Sequence, residues 1–292
     1  MKIWIDGKYF DKDNAKISVF DHGALYGDGC FEGIRAYNGK IFKLAEHLDR
    51  LYNSARAIGL VIPMPQAEMM KLVPQVVKDN ELTDCYIRLL VTRGVGDLGI
   101  DPRKCPKPSI VVIATGIKLY PEELYENGLK IVSASSRRVP TDCLPGRIKS
   151  LNYLNNIMAK IEGLQANCEE VLMLNTAGKV AECSADNIFA VWHAGRGRAG
   201  KTAHLLTPSA TQGPLLGITR GTILDLAKKA GFTTEEGEME RYDLYTCDEV
   251  FLTGTGAEVI GVVSVDGRTV GAGKPGEVTR QLRSTYMELV RS

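Results

Sequence analysis

The stretch RIKSLNYLNNIMAKIEG, residues 147–163, decides how the rest of the chain is interpreted. Its apolar residues recur at helical spacing, which predicts an amphipathic helix whose apolar face is buried. These residues are Leu151, Leu154, Met158 and Ile161, with Ile157 on the same broad face. Ser150 comes just before this run, and we expect its hydroxyl to cap the helix N-terminus. Lys149 would then lie beside the positive end of the helix dipole, a place suited to a nucleophilic amine, although a lone lysine there is more often solvated.

The composition excludes several classes of protein. The 292 residues carry 36 Lys and Arg against 35 Asp and Glu, so no basic excess points to nucleic acid or to an anionic membrane. The seven cysteines are odd in number and form no CxxC pair, which argues against a disulfide framework and a zinc site. The first residues lack the apolar core of a signal peptide, and no apolar run is long enough to cross a bilayer. We expect an enzyme-sized globular protein of the cytoplasm.

Turn and periodicity signals organise the first part of the chain. The pairs Asp6-Gly7 and Asn38-Gly39 stand between strand-like runs and predict two β-hairpins. The other elements expected here are helices from Leu44 and over 65–80, and strands over 85–91 and 109–115.

The second part of the chain alternates strand and helix patterns. The strands predicted there cover 130–134, 170–174, 180–192, 205–207 and 249–253, and the helices begin after residue 216 and cover 278–290. Residues 116–128 are polar and helix-prone, so we interpret 118–128 as a linker. The sequence therefore predicts a small N-terminal domain over 1–117 and a larger domain over 129–292.

The strand over 85–91 carries a charge inside an apolar pattern. Its alternation places Tyr86 and Arg88 on one face, and Ile87 and Leu89 on the other. An arginine between apolar strand positions is costly unless it meets an anion or a carboxylate. An arginine at a sheet edge that points to water fits the same pattern, so both interpretations stay open at this point.

One motif matches a nucleotide-binding pattern. GRGRAGKT, residues 195–202, has the spacing of the phosphate loop GxxxxGK[ST]. That motif requires a helix immediately after it, because the helix N-terminus and successive amides hold the phosphates. The residues that follow are strand-like and end at Pro208. We therefore interpret the segment as a solvated basic loop, and a nucleotide-binding ATPase that uses Lys201 is the alternative from another functional class.

Three other segments have the chemistry to hold an anion or a ring nitrogen. In LLGITR, 215–220, Gly217 allows close approach and Thr219 begins a helix, an arrangement that suits a phosphate. In TGTGAE, 253–258, successive amides after a strand could face a carboxylate or a phosphate. Glu182, among small and apolar residues, could accept the protonated nitrogen of a pyridine ring. A helix cap, a glycine turn and a strand-edge glutamate are the ordinary interpretations of the three.

The motifs occur together in one order, from about Ile5 to Ser264. They are FEGIRAYNGKIF (31–42), EHLDRL (46–51), YIR (86–88), IKSLNY (148–153), AECSADNIF (181–189), LLGITR (215–220) and TGTGAE (253–258). This set resembles the fold-type IV pyridoxal-phosphate aminotransferases, and FEGIR with the Tyr86–Arg88 pair is most similar to the branched-chain amino-acid aminotransferases. The resemblance implies a mixed α/β (α+β) fold, with a small N-terminal α/β domain and a larger C-terminal domain that contains a mixed, barrel-like sheet.

By this resemblance, Lys149 would bind pyridoxal 5′-phosphate covalently and move protons during the reaction. Glu182 would pair with the pyridinium nitrogen, and Tyr153 would hydrogen-bond the phenolic oxygen of the cofactor. The phosphate would be held by Arg50, Ile218, Thr219 and Thr255. The implied reaction is ping-pong transamination between L-leucine, L-isoleucine or L-valine and 2-oxoglutarate.

The resemblance also implies a substrate pocket with an apolar wall and one positive charge. Arg88 would meet the distal carboxylate of glutamate or 2-oxoglutarate, while Tyr86 and the amides of Thr255 and Gly256 would receive the α-carboxylate. The apolar wall would be shaped by Tyr26, Phe31 and Gly33. In the family, the loop around Ile100 reaches the pocket of a neighbouring subunit, so a homo-oligomer, at least a dimer, is implied.

Two segments resemble other branches of the same family. Asp28-Gly29-Cys30 and Val91-Thr92-Arg93-Gly94 are more similar to the D-amino-acid aminotransferases and the aminodeoxychorismate lyases. These two activities are therefore the alternatives to the branched-chain reaction on the same fold. No metal ion is expected in any of the three.

Overall fold

The computed structural model of the chain describes residues 1–117 and 119–292, which group into two compact units. The N-terminal unit comprises Met1–Ile117 together with Ile148–Tyr153. The C-terminal unit comprises residues 119–147 and Leu154–Ser292. The sequence places the Lys149 segment in a domain over 129–292, whereas its contacts group it with the N-terminal unit. The predicted domain boundaries themselves stay a prediction.

The N-terminal unit is an antiparallel six-stranded sheet with helices packed on it. Its elements are β1 (Lys2–Ile5), β2 (Lys8–Asp11), α1 (His22–Tyr26), β3 (Gly29–Tyr37), β4 (Lys40–Ile41), α2 (Leu44–Ala57), α3 (Gln66–Asp79), β5 (Cys85–Thr92) and β6 (Ser109–Thr115). The strand order is β2-β1-β6-β5-β3-β4, and α2 packs on β3 while α3 packs on β1 and β6. Both predicted hairpins, β1–β2 and β3–β4, are confirmed.

The core of the N-terminal unit follows the predicted alternation. On β5, Ile87 and Leu89 are fully buried, whereas Tyr86 and Arg88 on the other face are partly exposed. Helix α2 buries the stripe expected from its sequence, and the core residues on it are Leu44, Leu48, Leu51 and Ala55. The two side-chain periods of strand and helix therefore meet in one apolar layer.

The C-terminal unit is built on a nine-stranded mixed sheet. Its elements are α4 (Glu122–Asn127), β7 (Leu129–Ser133), α5 (Leu154–Gln165), β8 (Glu170–Leu174), β9 (Val180–Cys183), β10 (Asn187–Trp192), β11 (His204–Pro208), α6 (Ile218–Lys229), β12 (Thr233–Gly237), α7 (Arg241–Thr246), β13 (Glu249–Gly254), β14 (Glu258–Val265), β15 (Arg268–Thr269) and α8 (Glu277–Arg291). The order is β12-β11-β10-β13-β14-β7-β8-β9, with β15 paired to β14. Strand β9 also contacts β10 and β11, so the sheet curls, and the predicted mixed, barrel-like architecture is confirmed.

Helix α5 differs from its prediction in both its start and its buried face. It begins at Leu154, and the side that packs toward β7 and β8 carries the small or polar residues Asn156, Ala159 and Gly163. The predicted apolar stripe is exposed, with 64% of Leu154, 52% of Ile157, 49% of Met158 and 43% of Ile161 accessible. The prediction of a buried stripe is wrong, because helical period identifies an apolar face but not whether the fold covers it.

The basic segment 195–202 is a loop that leads into strand β11. Arg196 forms an ion pair with Asp248 at 3.0 Å, and Arg198 lies 3.3 Å from a carboxylate oxygen of Asp243. Because a strand and not a helix follows the motif, the geometry of a phosphate loop is absent, as expected. Among the described residues, no helix is long and apolar enough to cross a membrane.

Candidate active site

Lys149 lies on an extended segment beside the start of β3. Its carbonyl accepts a hydrogen bond from the Phe31 amide at 3.0 Å, and the next residue, Ser150, forms a β-bridge with Cys30. The Lys149 amide donates to Ser54 Oγ on α2 at 3.1 Å. The predicted Ser150 cap and the helix-dipole effect on Lys149 are therefore wrong, because pairing with β3 holds this segment in an extended conformation before α5 begins.

The side chain of Lys149 is surrounded by aromatic groups. Its Nζ donates a hydrogen bond to Tyr153 Oη at 3.1 Å and lies 4.6 Å from the ring centroid of Phe31. The rings of Phe31 and Tyr153 meet edge to face, with centroids 5.1 Å apart. The structure thus brings together a primary amine and a phenol, with an apolar ring as their common neighbour.

Arg50 is part of a buried charge cluster and not a solvated helix residue. Its Nε donates to Glu32 Oε1 at 2.6 Å and its Nη2 donates to Oε2 at 2.8 Å. His47 Nδ1 lies 2.7 Å from the same Oε2. Glu32 alternates with Ile34 on the face of β3 that α2 covers, and this charge at a core position is the signal that would have revealed the cluster.

The charge state of this cluster follows from its contacts. Burial would raise the pKa of Glu32, but the charge and hydrogen bonds of Arg50 and the hydrogen bond of His47 outweigh it and lower the pKa to about 2. Burial lowers the pKa of His47, an effect that Glu32 opposes and that the positive charges of Arg50 and Lys149 reinforce. Glu32 is therefore an anion at neutral pH and holds the Arg50 guanidinium in a fixed orientation.

The other face of the same strands carries Tyr86 and Arg88. Arg88 Nη2 donates to Tyr86 Oη at 3.1 Å, and its guanidinium carbon lies 4.7 Å from the ring centroid of Phe31. Gly33 stands opposite Arg88 on β3, where a Cβ would collide with the Tyr86 hydroxyl. In the described part of the chain, no carboxylate forms an ion pair with Arg88, so its charge faces aromatic rings and is available to an external anion.

Tyr26 and Ile100 lie at the exposed end of the N-terminal unit. Tyr26 belongs to the short helix α1, and its hydroxyl donates to the carbonyl of Leu98. Leu98 and Ile100 are 68% and 82% exposed. The structure therefore joins Tyr26 to the loop that carries Ile100, whereas Phe31 and Gly33 lie beside Tyr86 and Arg88.

Glu182 lies on β9 of the C-terminal unit and is 5% exposed. Arg138 Nε lies 2.9 Å from Glu182 Oε1, and the Leu215 amide donates to Oε2 at 2.9 Å. Arg138 also donates from Nη1 to Asn156 Oδ1 at 3.0 Å. The carboxylate is thus a buried, paired anion and not a strand-edge glutamate, and sequence patterns gave no signal for Arg138.

The LLGITR segment forms the N-terminus of α6. Gly217 is the N-cap residue, no side chain caps the helix, and Ile218 and Thr219 follow in its first turn. A Cβ at Gly217 would collide with Asn187 Oδ1, while Asn187 Nδ2 donates to the Leu215 carbonyl at 2.8 Å. The amides of this first turn and the dipole of a 12-residue helix are therefore available for an anion.

Thr255 and Gly256 lie in the turn between β13 and β14. The preceding Thr253 pairs with Asn187 across the sheet and is buried, and its Oγ1 has no hydrogen-bond partner. Leu215 and Asn187 therefore link this turn, the α6 N-terminus and Glu182 within one unit. An orphan hydroxyl, a helix N-terminus and a paired carboxylate form a polar region that suits a charged aromatic phosphate.

The sequence matches the amino-transferase class IV family over residues 29–265. This match covers well over half of the chain, from β3 to β14. The chain belongs to the class IV aminotransferases. The predicted family and fold are thereby confirmed.

Similar proteins cover almost the whole chain. A Methanocaldococcus jannaschii protein that bears the name "Putative branched-chain-amino-acid aminotransferase" is 46% identical over 289 residues, 99% of this chain and 96% of the relative. A D-alanine aminotransferase of Listeria monocytogenes is 34% identical over 99% of this chain and 96% of its own length. A crystal structure of a branched-chain amino acid aminotransferase from the source abbreviated T.th., complexed with N-(5′-phosphopyridoxyl)-L-glutamate, has a TM-score of 0.89 at 35% identity, and covers 99% of this chain and 94% of that one.

Proposed function

We propose that this class IV aminotransferase uses pyridoxal 5′-phosphate to exchange amino groups between branched-chain L-amino acids and 2-oxoglutarate. The observation that carries the proposal is the environment of Lys149, whose amine donates to Tyr153 and lies over Phe31, next to the unpaired charge of Arg88. When bound, the cofactor acts as an electron sink, which allows the amino group to leave one substrate and join another in a ping-pong sequence. The names of the similar proteins support the same substrates.

The residues present fit this cofactor. Glu182, already an anion with one oxygen on the Leu215 amide, would accept the hydrogen bond of the ring nitrogen. Tyr153 would orient the phenolic oxygen. The phosphate would be held by Arg50, Ile218, Thr219 and Thr255. The uncapped first turn of α6, with a glycine where a side chain would collide with Asn187, supports the phosphate assignment.

Each step on the substrate requires a proton carrier and an orienting group. Lys149 Nζ would take the proton from the substrate carbon and return it, since it is the primary amine held beside the Tyr153 hydroxyl. Tyr86 and the amides of Thr255 and Gly256 would bind the α-carboxylate. Burial raises the pKa of Tyr86 above its ordinary value, so its hydroxyl stays a hydrogen-bond donor at neutral pH.

Side-chain selectivity would come from the face of β3 and β5 around Arg88. Phe31 and Gly33 would leave an apolar space for a branched side chain, with Tyr26 at its outer end. The Arg88 guanidinium would bind the distal carboxylate of glutamate or 2-oxoglutarate, because a charge-assisted hydrogen bond offsets the cost of a cation among aromatic rings. One pocket would thereby accept both substrates in turn.

A homodimer, at the least, is the proposed assembly. Leu98 and Ile100 are 68% and 82% exposed, an unusual position for large apolar side chains unless another surface covers them. Helix α5 exposes a second apolar stripe. We propose that a second copy of the chain covers these surfaces, that Ile100 thereby reaches its partner's pocket, and that the enzyme works in the cytoplasm.

A D-amino-acid aminotransferase is the second candidate function. The Listeria monocytogenes D-alanine aminotransferase matches nearly the full length of this chain, and the segments 28–30 and 91–94 resemble that branch. Since the two reactions use the same cofactor, they differ in the face of the substrate carbon that meets Lys149.

The visible spectrum of the holoenzyme tests both candidates. Addition of L-leucine to wild type should bleach the absorbance band of the bound cofactor, and 2-oxoglutarate should restore it, whereas Lys149→Ala should show neither change. If D-alanine bleaches the band and L-leucine does not, the D-amino-acid function holds and the branched-chain proposal is wrong. If wild type takes up no pyridoxal phosphate, both proposals are wrong.

A further inference from the structure

Arg138 lies outside every motif of the sequence, yet it is the cation in contact with Glu182. Its Nε is 2.9 Å from Glu182 Oε1, and the side chains of the two residues are 12% and 6% exposed. The buried Nε has no hydrogen-bond partner by its angle, so the contact is an electrostatic pair and not a straight hydrogen bond. A charged side chain with so little access to water has a specific task or a large cost.

We propose that Arg138 is a positioning residue that keeps Glu182 an oriented anion and thereby keeps the proton of the cofactor's pyridine ring on the ring nitrogen. The inference rests on the proposed function only in that pyridoxal phosphate binds here; it does not depend on which amino acid is the substrate. Arg138 would touch neither cofactor nor substrate and would act through Glu182 alone.

The physical argument concerns which partner holds the shared proton. A carboxylate as buried as Glu182 would tend to take up a proton if no cation lay nearby. The positive charge of Arg138 favours the anion, which makes the carboxylate a weaker base toward the ring nitrogen. The proton then stays on nitrogen, where the positive ring attracts electrons, and Glu182 accepts a charge-assisted hydrogen bond from it.

The structure holds the Arg138 guanidinium from two sides. Its backbone amide donates to the carbonyl of Leu174, at the end of β8, at 2.8 Å. Its Nη1 donates to Asn156 Oδ1 on α5 at 3.0 Å, and Asn156 Nδ2 donates in turn to the Ser184 carbonyl at 2.8 Å. Asn156 is 5% exposed, so this amide is fixed by both of its hydrogen bonds.

The Leu215 amide completes the orientation of the carboxylate. It donates to Oε2 at 2.9 Å while Arg138 faces Oε1, so each oxygen of Glu182 has a defined partner. The same Leu215 lies directly before the α6 N-terminus proposed for the phosphate. Glu182 and the phosphate site are thereby set in a fixed relation along one short piece of backbone.

The experiment compares wild type, Arg138→Met, Arg138→Lys and Arg283→Met. Methionine removes the charge and keeps much of the volume, while lysine keeps the charge. Arg283 is the matched control, since it pairs with Glu122 and lies over the Tyr125 ring in the same unit, without contact to Glu182. The ring-nitrogen signal of ¹⁵N-labelled pyridoxal phosphate on each protein reports ring protonation, and fluorescence titration gives the cofactor dissociation constant.

The proposal predicts that Arg138→Met shifts the ¹⁵N signal toward the unprotonated ring and raises the cofactor dissociation constant about 10- to 100-fold. Arg138→Lys should restore most of the wild-type signal, and Arg283→Met should leave both quantities unchanged. A wild-type ¹⁵N signal in Arg138→Met, even with weaker binding, would reduce Arg138 to a structural residue and overturn the proposal.

The background Glu182→Gln keeps the test decisive if Arg138→Met folds poorly. In that background the carboxylate is gone, so the added Arg138→Met change should leave the ¹⁵N signal where Glu182→Gln alone puts it. Additive shifts would show that Arg138 acts independently of Glu182, against the proposal. Wild type that binds the cofactor but fails to react with L-leucine would refute the proposed substrate and leave the role of Arg138 to be decided by these spectra.

Discussion

Each unit of the molecule contains one buried carboxylate paired with an arginine, and the two pairs are arranged in opposite ways. In the N-terminal unit, Glu32 is fully buried and binds Arg50 through two hydrogen bonds, with His47 as a third member. In the C-terminal unit, Glu182 is the residue proposed to act, and Arg138 supports it in an ion pair. The proposed functional partner is the arginine in the first pair and the carboxylate in the second.

This contrast shows what a buried ion pair can contribute beyond stability. Two charges removed from water often gain little net free energy from each other. What the pair fixes is charge state and direction: Glu32 orients a guanidinium toward a phosphate, and Arg138 holds a carboxylate toward a ring nitrogen. Removal of the supporting member of each pair should therefore weaken cofactor binding in a different way.

The largest expected effect is that of Glu32→Gln. The change leaves Arg50 buried without its anion, so the free energy of unfolding should fall by about 3–5 kcal/mol, and cofactor affinity should fall as well. Urea unfolding of the apoprotein and a fluorescence titration with pyridoxal phosphate measure the two effects. Asp28→Asn, which breaks the Arg93–Asp28 pair of the same unit, is the control and should lower stability without a change in affinity.

Acid should narrow the difference in stability between wild type and Glu32→Gln. The pKa of Glu32 is lowered from 4.5 to about 2 in the folded protein, so its contribution is complete above pH 4.5 and is lost as the pH falls toward 2. The shift corresponds to about 3 kcal/mol. Urea unfolding of both apoproteins from neutral pH into this acid range measures it, and parallel curves would contradict the assigned ionisation.

A smaller and more selective effect is expected for Arg88→Gln. The loss of one charge-assisted contact should raise KM for 2-oxoglutarate about 10- to 100-fold, while the half-reaction with L-leucine should change little because its side chain carries no charge. Steady-state and single-turnover kinetics measure the two halves. Arg88→Lys is the control that keeps the charge, and equal loss for both substrates would place Arg88 outside the distal-carboxylate site.

The smallest expected effect is that of Lys201→Ala. The basic loop 195–202 leads into a strand and lies in neither charge pair, so cofactor affinity and turnover should both match wild type. A tenfold change in either would reopen the nucleotide-loop interpretation.

The sequence was informative where local pattern and burial agree. The alternation on β5 and the apolar stripe of α2 were predicted because strand and helix periods directly describe their buried faces. Glu182 and Arg50 were found through motifs that resemble a known family. Their partners were less accessible: Glu32 left a readable signal, a charge at a core position of β3, whereas Arg138 is brought to Glu182 only by the fold.

The helix after Lys149 shows where local rules fail. Ser150 has the chemistry of a helix cap, but the bridge to Cys30 extends the chain there, so tertiary pairing overrides the capping signal. The apolar residues of α5, such as Leu154 and Ile157, are exposed although their spacing is helical. Period cannot show whether the chain itself or a second copy covers such a face.

The most direct test of the account is to find the residue that carries the cofactor. Borohydride treatment of the holoenzyme, followed by proteolysis and mass spectrometry, fixes bound pyridoxal phosphate to the lysine that holds it. The account predicts one modified peptide, which contains Lys149, and none in Lys149→Ala. Modification of any other lysine in wild type, such as Lys201, or of no lysine in protein that holds the cofactor, would contradict the central role assigned to Lys149.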